Sequence, residues 1–304
     1  MLGIALSGTD GRTAEALVAG AEQARSQASK RDGAGYEFYS PELNRRALER
    51  MSQGTHLRRA IDNAEFVLHY QPKVNLHSTQ LAGAEALVRW QLPNGTLLPP
   101  LRFIPLAEEL GLVGAIGDWV LERACRDAAE WLMQGVPVGQ VSVNVSQAQF
   151  TRGVLARTVA DTLSRTGLPA RHLLLEITES MLMADVHIAM DTLAELREIG
   201  VELAIDDFGT GYSSLAYLKQ FPVSELKIDR SFIAGLPGGP RDMAILRAIV
   251  ALGHHLDMRV IAEGVETAAQ MLALAELDCD GYQGFLYSRP LPVAEVLPVL
   301  RAGT

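Results

Sequence analysis

The sequence predicts an α/β protein built around a TIM-like (β/α)8 barrel, with a short N-terminal α/β segment and a linker helix before it. From Phe66 onward, short runs rich in β-branched and apolar residues alternate with longer stretches of helical periodicity, which is typical of repeated strand–helix units and a parallel sheet. Eight such units over roughly 240 residues match the usual size of this barrel. On the pattern alone, a doubly wound open sheet stays as the alternative.

Composition limits the class of protein. The chain has 304 residues, 48% of them hydrophobic, so it can bury a large core. The apolar runs fall short of the roughly 18 to 20 residues that a membrane helix needs, and the start lacks the pattern of a signal peptide. We therefore expect no membrane contact by this chain and a cytoplasmic location, and we leave open that a longer parent protein is membrane-anchored.

Charge and cysteine content argue against further classes. The formal net charge of −9 argues against DNA or RNA as a partner, because sequence-independent binding needs broad basic surfaces. An anionic ligand would need local positive charge, in particular from bound metal. Cys125 and Cys279 show no C-x-x-C spacing, so we expect buried free thiols in place of a disulfide framework or a zinc site.

The first sixty or so residues differ from the rest. An apolar run from Leu2 to Leu6, an Ala-rich helical stretch from Thr13 to Lys30 and a short strand from Tyr36 to Tyr39 form a first segment, residues 1–40. From Pro41 the pattern is strongly charged and helical, which predicts a linker helix over residues 41–64. The barrel domain then occupies residues 65–304.

Within the barrel domain, turn residues separate the predicted strands and helices. The predicted strands are Val67–Val74, Leu81–Trp90, Val141–Ser146, Leu173–Thr178, Val201–Asp207, Glu225–Asp229, Arg259–Val265 and Asp280–Gly284. The clearest helical stretches, with apolar residues at helical spacing, are Gly117–Met133, Val186–Ile199, Met243–Leu256 and Thr267–Leu277.

Polar side chains stand near the C-terminal ends of successive predicted strands, each among apolar neighbours. Barrels build their active sites at this rim, so we expect these side chains to converge although they are far apart in sequence. A single acid at a strand end is more often a helix cap or a loop residue, but seven strand ends together favour a site. The residues are Glu85, Asn144, Glu176, Asp206 with Asp207, Lys227, Glu263 and Gln283.

The acids in this set predict a metal centre. Several carboxylates in one barrel mouth would repel one another and raise one another's pKa values unless cations neutralise them. Because the set contains oxygen ligands and neither His nor Cys, Mg²⁺ or Mn²⁺ is favoured over Zn²⁺. The adjacent acids Asp206 and Asp207 suggest two ions with one shared carboxylate. In the alternative interpretation, Asp207 binds no metal and caps the following segment.

Two basic residues each allow two interpretations. Lys227 could orient or deprotonate an attacking water, provided that its pKa is lowered, or it could form an ion pair within the acidic cluster. Arg89 follows Glu85 by four residues and so points the same way along an extended strand. It could contact a phosphate through its guanidinium fork, or form a salt bridge to a rim acid.

At these residues the sequence resembles the EAL domain, from about Phe66 to Leu300. The matching motifs occur in the order of the family: Tyr70–Val74, Glu85–Trp90, Phe103–Glu109, Val143–Ser146, Leu175–Glu179, Ile205–Leu215, Leu226–Asp229, Ala262–Glu266 and Gly281–Gly284. The resemblance implies a phosphodiesterase that hydrolyses the bacterial second messenger cyclic di-GMP to linear 5′-pGpG. It also implies the mechanism, which is two-metal-ion in-line attack of a metal-bound water.

The resemblance further implies which residues bind metal. One ion would be held by Glu85, Asn144, Glu176 and Asp206. The second would be held by Asp207 together with the shared Asp206, and Glu263 would belong to the same metal–water cluster. On this basis Glu85 and Glu263 count as catalytic residues as well as metal ligands.

The remaining site residues also take their roles from the resemblance. Lys227 would act in catalysis by interacting with the nucleophilic water, which Gln283 would help to position. Gln71 and Arg89 would contact the dinucleotide, while Glu179 would stabilise the loop after Asp207.

That loop, Phe208 to Ser214, links the metal site to a dimer interface in the family, so the resemblance implies a homodimer through the EAL domain. None of the positions above departs from the family pattern, which favours an active enzyme. The alternatives are a non-catalytic cyclic di-GMP receptor that acts as a signalling module, and an interaction scaffold that does not bind the ligand.

Residues 1–40 resemble the C-terminal end of a GGDEF (diguanylate cyclase) domain, through Gly3–Ser7, Asp10 with Gly11, the Ala-rich helix and Tyr36–Tyr39. Arg25 and Ser26 depart from the larger apolar residues that usually pack at this part of the helix. The motif that would bind and cyclise GTP is missing, so the resemblance implies a remnant of a tandem protein and assigns no cyclase activity.

Overall fold

A computed structural model of the chain describes residues 1–29, 35–39, 54–210 and 215–303. Within these residues the chain divides into two units, Met1–Asn63 and Ala64–Thr304. Much of the predicted linker helix, residues 40–53, lies outside the described residues, and residues 54–60 form helix α2. The division of the first unit into a remnant and a linker stays a prediction.

The first unit contains a strand, a helix and a second strand. They are β1 (Leu2–Ile4), α1 (Ala14–Ala28) and β2 (Tyr36–Phe38). The two strands pair in parallel, which requires a crossover, and α1 supplies it. At Gly3 an added Cβ would lie 1.8 Å from the carbonyl oxygen of Ala21, so the close approach of β1 to α1 requires glycine.

Strand pairing closes the second unit into a barrel. Its strands are β3 (Phe66–Asn75), β4 (Leu81–Gln91), β5 (Leu97–Leu98), β6 (Gln140–Asn144), β7 (Leu173–Thr178), β8 (Glu202–Phe208), β9 (Glu225–Ile228), β10 (Arg259–Glu263), β11 (Gly281–Gln283) and β12 (Leu291–Pro292). From β4, pairing runs through β6, β7, β8, β9, β10 and β11 to β3, which pairs again with β4. In the described part of the chain this is a closed ring of eight strands, as predicted, and the open sheet is excluded.

Strand β3 departs from the expected all-parallel arrangement, because it runs antiparallel to both β4 and β11. The cause is the short connection to β4. The side chain of Asn75 accepts hydrogen bonds from the backbone N–H groups of His77 and Ser78, and Thr79 adopts a positive φ of 61°. A turn of this length can join antiparallel strands, whereas parallel strands need a crossover of a dozen or more residues.

Helices surround the barrel. They are α3 (Ile104–Glu109), α4 (Val113–Met133), α5 (Gln147–Thr151), α6 (Leu155–Thr166), α7 (Glu179–Ala184), α8 (Val186–Ile199), α9 (Leu215–Leu218), α10 (Arg230–Ile233), α11 (Pro240–His255), α12 (Ala268–Glu276) and α13 (Val293–Ala302). Short 3-10 helices occur at Pro100–Arg102 and Ala170–His172. The predicted helices correspond to α4, α8, α11 and α12. Among the described helices, none is both long and apolar enough to cross a membrane.

Side-chain alternation along the strands separates two environments. On β9, Leu226 and Ile228 are fully buried between barrel and helices, whereas Lys227 between them points to the barrel interior, where it meets acids of other strands. Cys125 and Cys279 are buried free thiols, as predicted. The apolar core therefore lies between the strands and the helices, and the polar residues collect inside the barrel.

Candidate active site

The predicted polar residues converge inside the barrel. Strands β6 to β11 deliver their side chains from near their C-terminal ends, whereas Glu85 lies near the middle of β4 (Leu81–Gln91). Lys227 on β9 lies at the centre. Of the described side chains, four carboxylates come within 4 Å of its Nζ atom. The distances are 2.5 Å to Glu263 Oε1, 2.6 Å to Glu176 Oε2, 3.1 Å to Asp206 Oδ1 and 3.8 Å to Glu85 Oε2.

This arrangement decides how Lys227 is protonated. Burial, at 1% exposure, would lower its pKa, but the carboxylates around it, Glu176 foremost, raise the pKa well above its usual value. The side chain is therefore an ammonium that donates to the acids. The ion-pair interpretation holds in this structure, and an ammonium can orient a water molecule but cannot take a proton from it.

The acids around Lys227 differ in pKa. Burial raises the pKa of Glu263 to about 8, against the opposing effect of Lys227, and burial likewise raises the pKa of Glu85. Burial would also raise the pKa of Glu176, but contacts with Lys227 and Lys73 lower it to about 2. Contacts with the two lysines therefore favour the anionic form of Glu176, whereas burial and the neighbouring acids disfavour the anionic form of Glu263, which a bound cation would favour.

Amide side chains fix the position of Glu85. Asn144 Nδ2 donates to Glu85 Oε1 at 2.6 Å, and Gln283 Nε2 donates to Glu85 Oε2 at 2.6 Å. Gln283 Nε2 also lies 3.0 Å from Gln71 Oε1, and Gln71 Nε2 donates to the carbonyl oxygen of Ser288. Both carboxylate oxygens of Glu85 are thus held, and the antiparallel pairing of β3 with β4 places Gln71 directly opposite Glu85.

The residues present fit a site for hard divalent cations. Asp206, Asp207 and Glu263 each offer a carboxylate oxygen, and these oxygens lie within 4.8 Å of one another. Among the described residues, Gln283 Oε1 is buried without a hydrogen-bond partner. The donors around this point are carboxylate and amide oxygens, which Mg²⁺ and Mn²⁺ prefer. The structure therefore contains an acidic cluster that could bind metal.

Backbone geometry places Asp207. Its φ of 53° is left-handed, its backbone N–H donates to Asp206 Oδ1 at 3.0 Å, and its carbonyl oxygen accepts from Thr210 Oγ1. Burial and the neighbouring Asp206 raise its pKa. After it, the Gly209 N–H donates to Glu179 Oε2 at 3.0 Å. Residues 211–214 of the predicted loop lie outside the described residues.

A cavity of about 620 Å³ opens onto these residues. The predicted residues that line it are Gln71, Glu85, Asp206, Glu263 and Gln283. Arg89 lies outside this cavity, and its guanidinium donates to the carbonyl oxygen of Val88 at 2.8 Å. The charge of Glu85 nevertheless acts on Arg89, where it opposes the lowering of the pKa by burial. That Arg89 points the same way as Glu85 and contacts the dinucleotide stays a prediction.

Residues outside the predicted set lie on both sides of the site. Arg230 and Phe285 line the cavity. Deeper in the barrel, Lys73 Nζ contacts Glu176 Oε1 at 2.8 Å and Glu225 Oε1 at 2.9 Å. The sequence contains a signal for Lys73 and Glu225. Lys73 follows Gln71 by two positions and Glu225 precedes Lys227 by two, so each shares the interior face of a strand with a predicted site residue.

Known proteins are similar to this chain in sequence and fold. The family model for the EAL domain matches residues 55–290. The bifunctional diguanylate cyclase/cyclic di-GMP phosphodiesterase MucR of Pseudomonas aeruginosa is 45% identical over 296 residues, which is 97% of this chain and 43% of MucR. The cyclic di-GMP phosphodiesterase NbdA of the same species is 43% identical over 303 residues, which is 99% of this chain and 38% of NbdA.

The fold is also similar to solved structures. The structure of the PaMucR phosphodiesterase in its c-di-GMP complex is 48% identical with a TM-score of 0.77, and the match covers 81% of this chain and 100% of that chain. The chain spans less than half the length of the two curated relatives, 43% of one and 38% of the other. Sequence motifs, barrel geometry and family match agree, and the chain belongs to the EAL domain family.

Proposed function

We propose that this chain is a cyclic-guanylate-specific phosphodiesterase, which hydrolyses cyclic di-GMP to linear 5′-pGpG. The observation that carries the proposal is the convergence of the complete predicted set of acids, amides and Lys227 on one site, beside a cavity of about 620 Å³. That volume is within the range of small-molecule sites. Curated relatives named cyclic di-GMP phosphodiesterases supply the substrate.

The proposed cofactors are two divalent cations, Mg²⁺ or Mn²⁺. Glu85, Asn144, Glu176 and Asp206 would hold one ion; Asp207 and the shared Asp206 would hold the other, with Glu263 beside them. When bound, such ions supply an activated water and neutralise the charge that develops on the phosphodiester oxygens. The mutual distances of Asp206, Asp207 and Glu263 support this assignment.

The remaining residues position the reactants. Lys227 carries the proton that can orient water by donation, and Gln283 presents its free Oε1 atom on the other side of Glu85. Gln71 lines the cavity and can contact the dinucleotide directly. Arg89 would contact the dinucleotide only after release from the Val88 carbonyl, and Glu179 would hold the loop after Asp207 through Gly209.

Turnover by the Glu85→Ala variant tests this proposal. With Mg²⁺ or Mn²⁺ and cyclic di-GMP, we expect Glu85→Ala to lose orders of magnitude in rate, because a metal ligand is removed. Glu85→Gln keeps the shape of the side chain and should lose most of the activity as well. The control is Glu198→Ala, an exposed glutamate of α8, which should turn over at the wild-type rate. Circular dichroism checks that each variant is folded.

Two results would contradict the proposal. Wild-type protein that binds cyclic di-GMP and returns it intact after long incubation with metal would identify a receptor. Unchanged turnover in Glu85→Ala would place the chemistry elsewhere. The first result separates the enzyme from the signalling module with which it shares the fold, and the second contradicts the assignment of the site.

We infer three further properties that belong to the proposal. Residues 1–40 are the C-terminal remnant of a GGDEF domain, which the strand–helix–strand unit and the bifunctional name of MucR support. The chain forms a homodimer through its EAL domain, which light scattering of the purified protein tests. Its location is cytoplasmic, in agreement with the lack of a membrane-crossing helix among the described residues.

A further inference from the structure

A line of alternating charges runs along the inside of the barrel, below the proposed metal site. Arg259 NH2 lies 3.3 Å from Glu225 Oε2, and Glu225 Oε1 lies 2.9 Å from Lys73. Lys73 in turn contacts Glu176 Oε1, whose other oxygen contacts Lys227. The Arg259 side chain is half-exposed, whereas the other members are almost fully buried, with Lys73 at 5% exposure.

Within this line, Lys73 fixes one half of the Glu176 carboxylate. Lys73 binds Oε1 at 2.8 Å while Lys227 binds Oε2 at 2.6 Å, so that rotation of the carboxylate would break a contact with one ammonium or the other. Glu225 holds Lys73 from the opposite side. Lys73 is not among the residues to which the mechanism above gives a role, and it lines no part of the 620 Å³ cavity.

Lys73 has two opposite effects on a cation at this site. Its positive charge repels a bound cation, so that charge alone makes Lys73 unfavourable for metal binding. Its contact with Glu176 aligns a ligand, and residues that orient ligands from outside the coordination sphere typically change metal affinity roughly 10- to 100-fold. Whether metal affinity rises or falls when Lys73 is removed therefore shows which effect is larger.

We propose that Lys73 is a positioning residue for the metal site, which holds the Glu176 carboxylate in its ligating orientation and is itself held by Glu225. The inference rests on the proposed two-ion function. The Lys73 ammonium donates to carboxylates of both Glu176 and Glu225, which supports a fixed orientation over a diffuse charge effect.

The first test is Mn²⁺ affinity of the intact chain, measured by calorimetry at one fixed pH. We expect Lys73→Met to bind Mn²⁺ roughly 10- to 100-fold more weakly than the wild type. The half-saturating Mn²⁺ concentration for turnover should rise by the same factor, while kcat at saturating Mn²⁺ changes much less. The control is Lys219→Met, an exposed lysine, which should bind Mn²⁺ like the wild type.

The second test is the double variant Lys73→Met with Glu225→Gln. It removes one positive and one negative charge, so the net charge around the site equals that of the wild type, and the buried Glu225 charge is not left with the half-exposed Arg259 as its remaining cation. If Lys73 positions Glu176, the double variant binds Mn²⁺ as weakly as the single variant. If Lys73 acts through its charge alone, Lys73→Met binds Mn²⁺ more tightly than the wild type, the double variant returns to wild-type affinity, and the proposal is wrong.

The remaining outcomes are equally decisive. Tighter or unchanged Mn²⁺ binding by Lys73→Met would overturn the positioning role and leave the proposed function intact, because the wild type would still bind metal. Wild-type protein without measurable Mn²⁺ binding would overturn both the metal site and the role of Lys73.

Discussion

At the scale of single residues, Lys227 explains how several acids share the interior of one barrel. Each buried ion would lose several kcal/mol of hydration free energy, which only close pairing offsets. Lys227 approaches four of the described carboxylates, and Lys73 adds a second positive charge at Glu176. The cluster nevertheless retains an excess of acids, so that burial and repulsion leave Glu263 with a pKa of about 8. A divalent cation would relieve this excess.

Tyr70 provides a prediction at the same scale. Its hydroxyl donates to Asp127 Oδ2 at 2.7 Å, in the buried contact between β3 and α4, and Asp127 also accepts from Arg123. Tyr70→Phe keeps the ring against Trp131 but leaves the carboxylate short of one partner. We expect a loss of about 1.5–3 kcal/mol in the free energy of unfolding, measured by urea denaturation.

Turnover should not change in Tyr70→Phe, because Tyr70 points away from the interior face that carries Gln71. The control is Tyr217→Phe, since Tyr217 is 43% exposed. Equal stability of Tyr70→Phe and wild type would show that the buried hydrogen bond contributes nothing to folding.

At the scale of secondary-structure elements, the ends of strands and helices determine where site residues point. Strand β10 delivers Glu263, and the chain then turns through Gly264, at a positive φ of 68°, into the start of α12. Thr267 caps this helix: its hydroxyl accepts from the Gln270 N–H, and Gln270 Oε1 accepts from the N–H groups of Thr267 and Glu266. This reciprocal cap fixes the segment between a proposed metal ligand and its helix.

Removal of this cap gives a prediction at the element scale. Thr267→Ala deletes the oxygen that satisfies a free N–H group of the first helical turn, so the free energy of unfolding should fall by about 0.5–2 kcal/mol. Glu276→Ala, at an exposed position near the other end of α12, should be neutral in the same denaturant titration. A Thr267→Ala protein as stable as the wild type would mean that the Gln270 side chain holds the turn alone.

At the scale of the whole molecule, metal binding and stability are linked. A ligand that binds only the folded protein raises its stability, by about 4 kcal/mol at a thousandfold excess over the dissociation constant. In the proposed site each cation also relieves the repulsion among acids from several strands. We therefore expect Mn²⁺ or Mg²⁺ to raise the midpoint temperature of thermal unfolding by several degrees, as measured by calorimetry. This rise should grow with the logarithm of the metal concentration.

The Asp206→Asn variant checks where the metal acts. It removes the carboxylate proposed to be shared by both ions, so the metal-dependent rise should disappear. Asp161→Asn, on the exposed side of α6, should retain it. A rise of equal size in Asp206→Asn would show that the stabilising ions bind elsewhere, and a wild type insensitive to metal would contradict the two-ion proposal.

The sequence by itself determined the eight strand–helix units and the set of polar residues on their strands, whereas closure of the sheet was decided by the strand pairing. The units and the polar set both follow from local periodicity: strands alternate with helices, and within each strand every second side chain shares a face, so Glu176 and Lys227 had to point away from their apolar neighbours. The motifs around Glu85 and Asp206 also identified the family. The periodicity of strands and helices alone does not identify a family.

Only the tertiary structure decided how these side chains meet. The contacts of Lys73 with Glu176 and Glu225 join residues 103 and 152 positions apart. The antiparallel pairing of β3 with β11 likewise depends on strand register. The guanidinium of Arg89 donates to the neighbouring Val88 carbonyl, a side-chain conformation that periodicity does not specify. The protonation of Lys227 depends on burial together with acids from several strands, and its own segment determines neither. Periodicity assigns a side chain to a face, but distances and pKa values arise only when the barrel closes and excludes water.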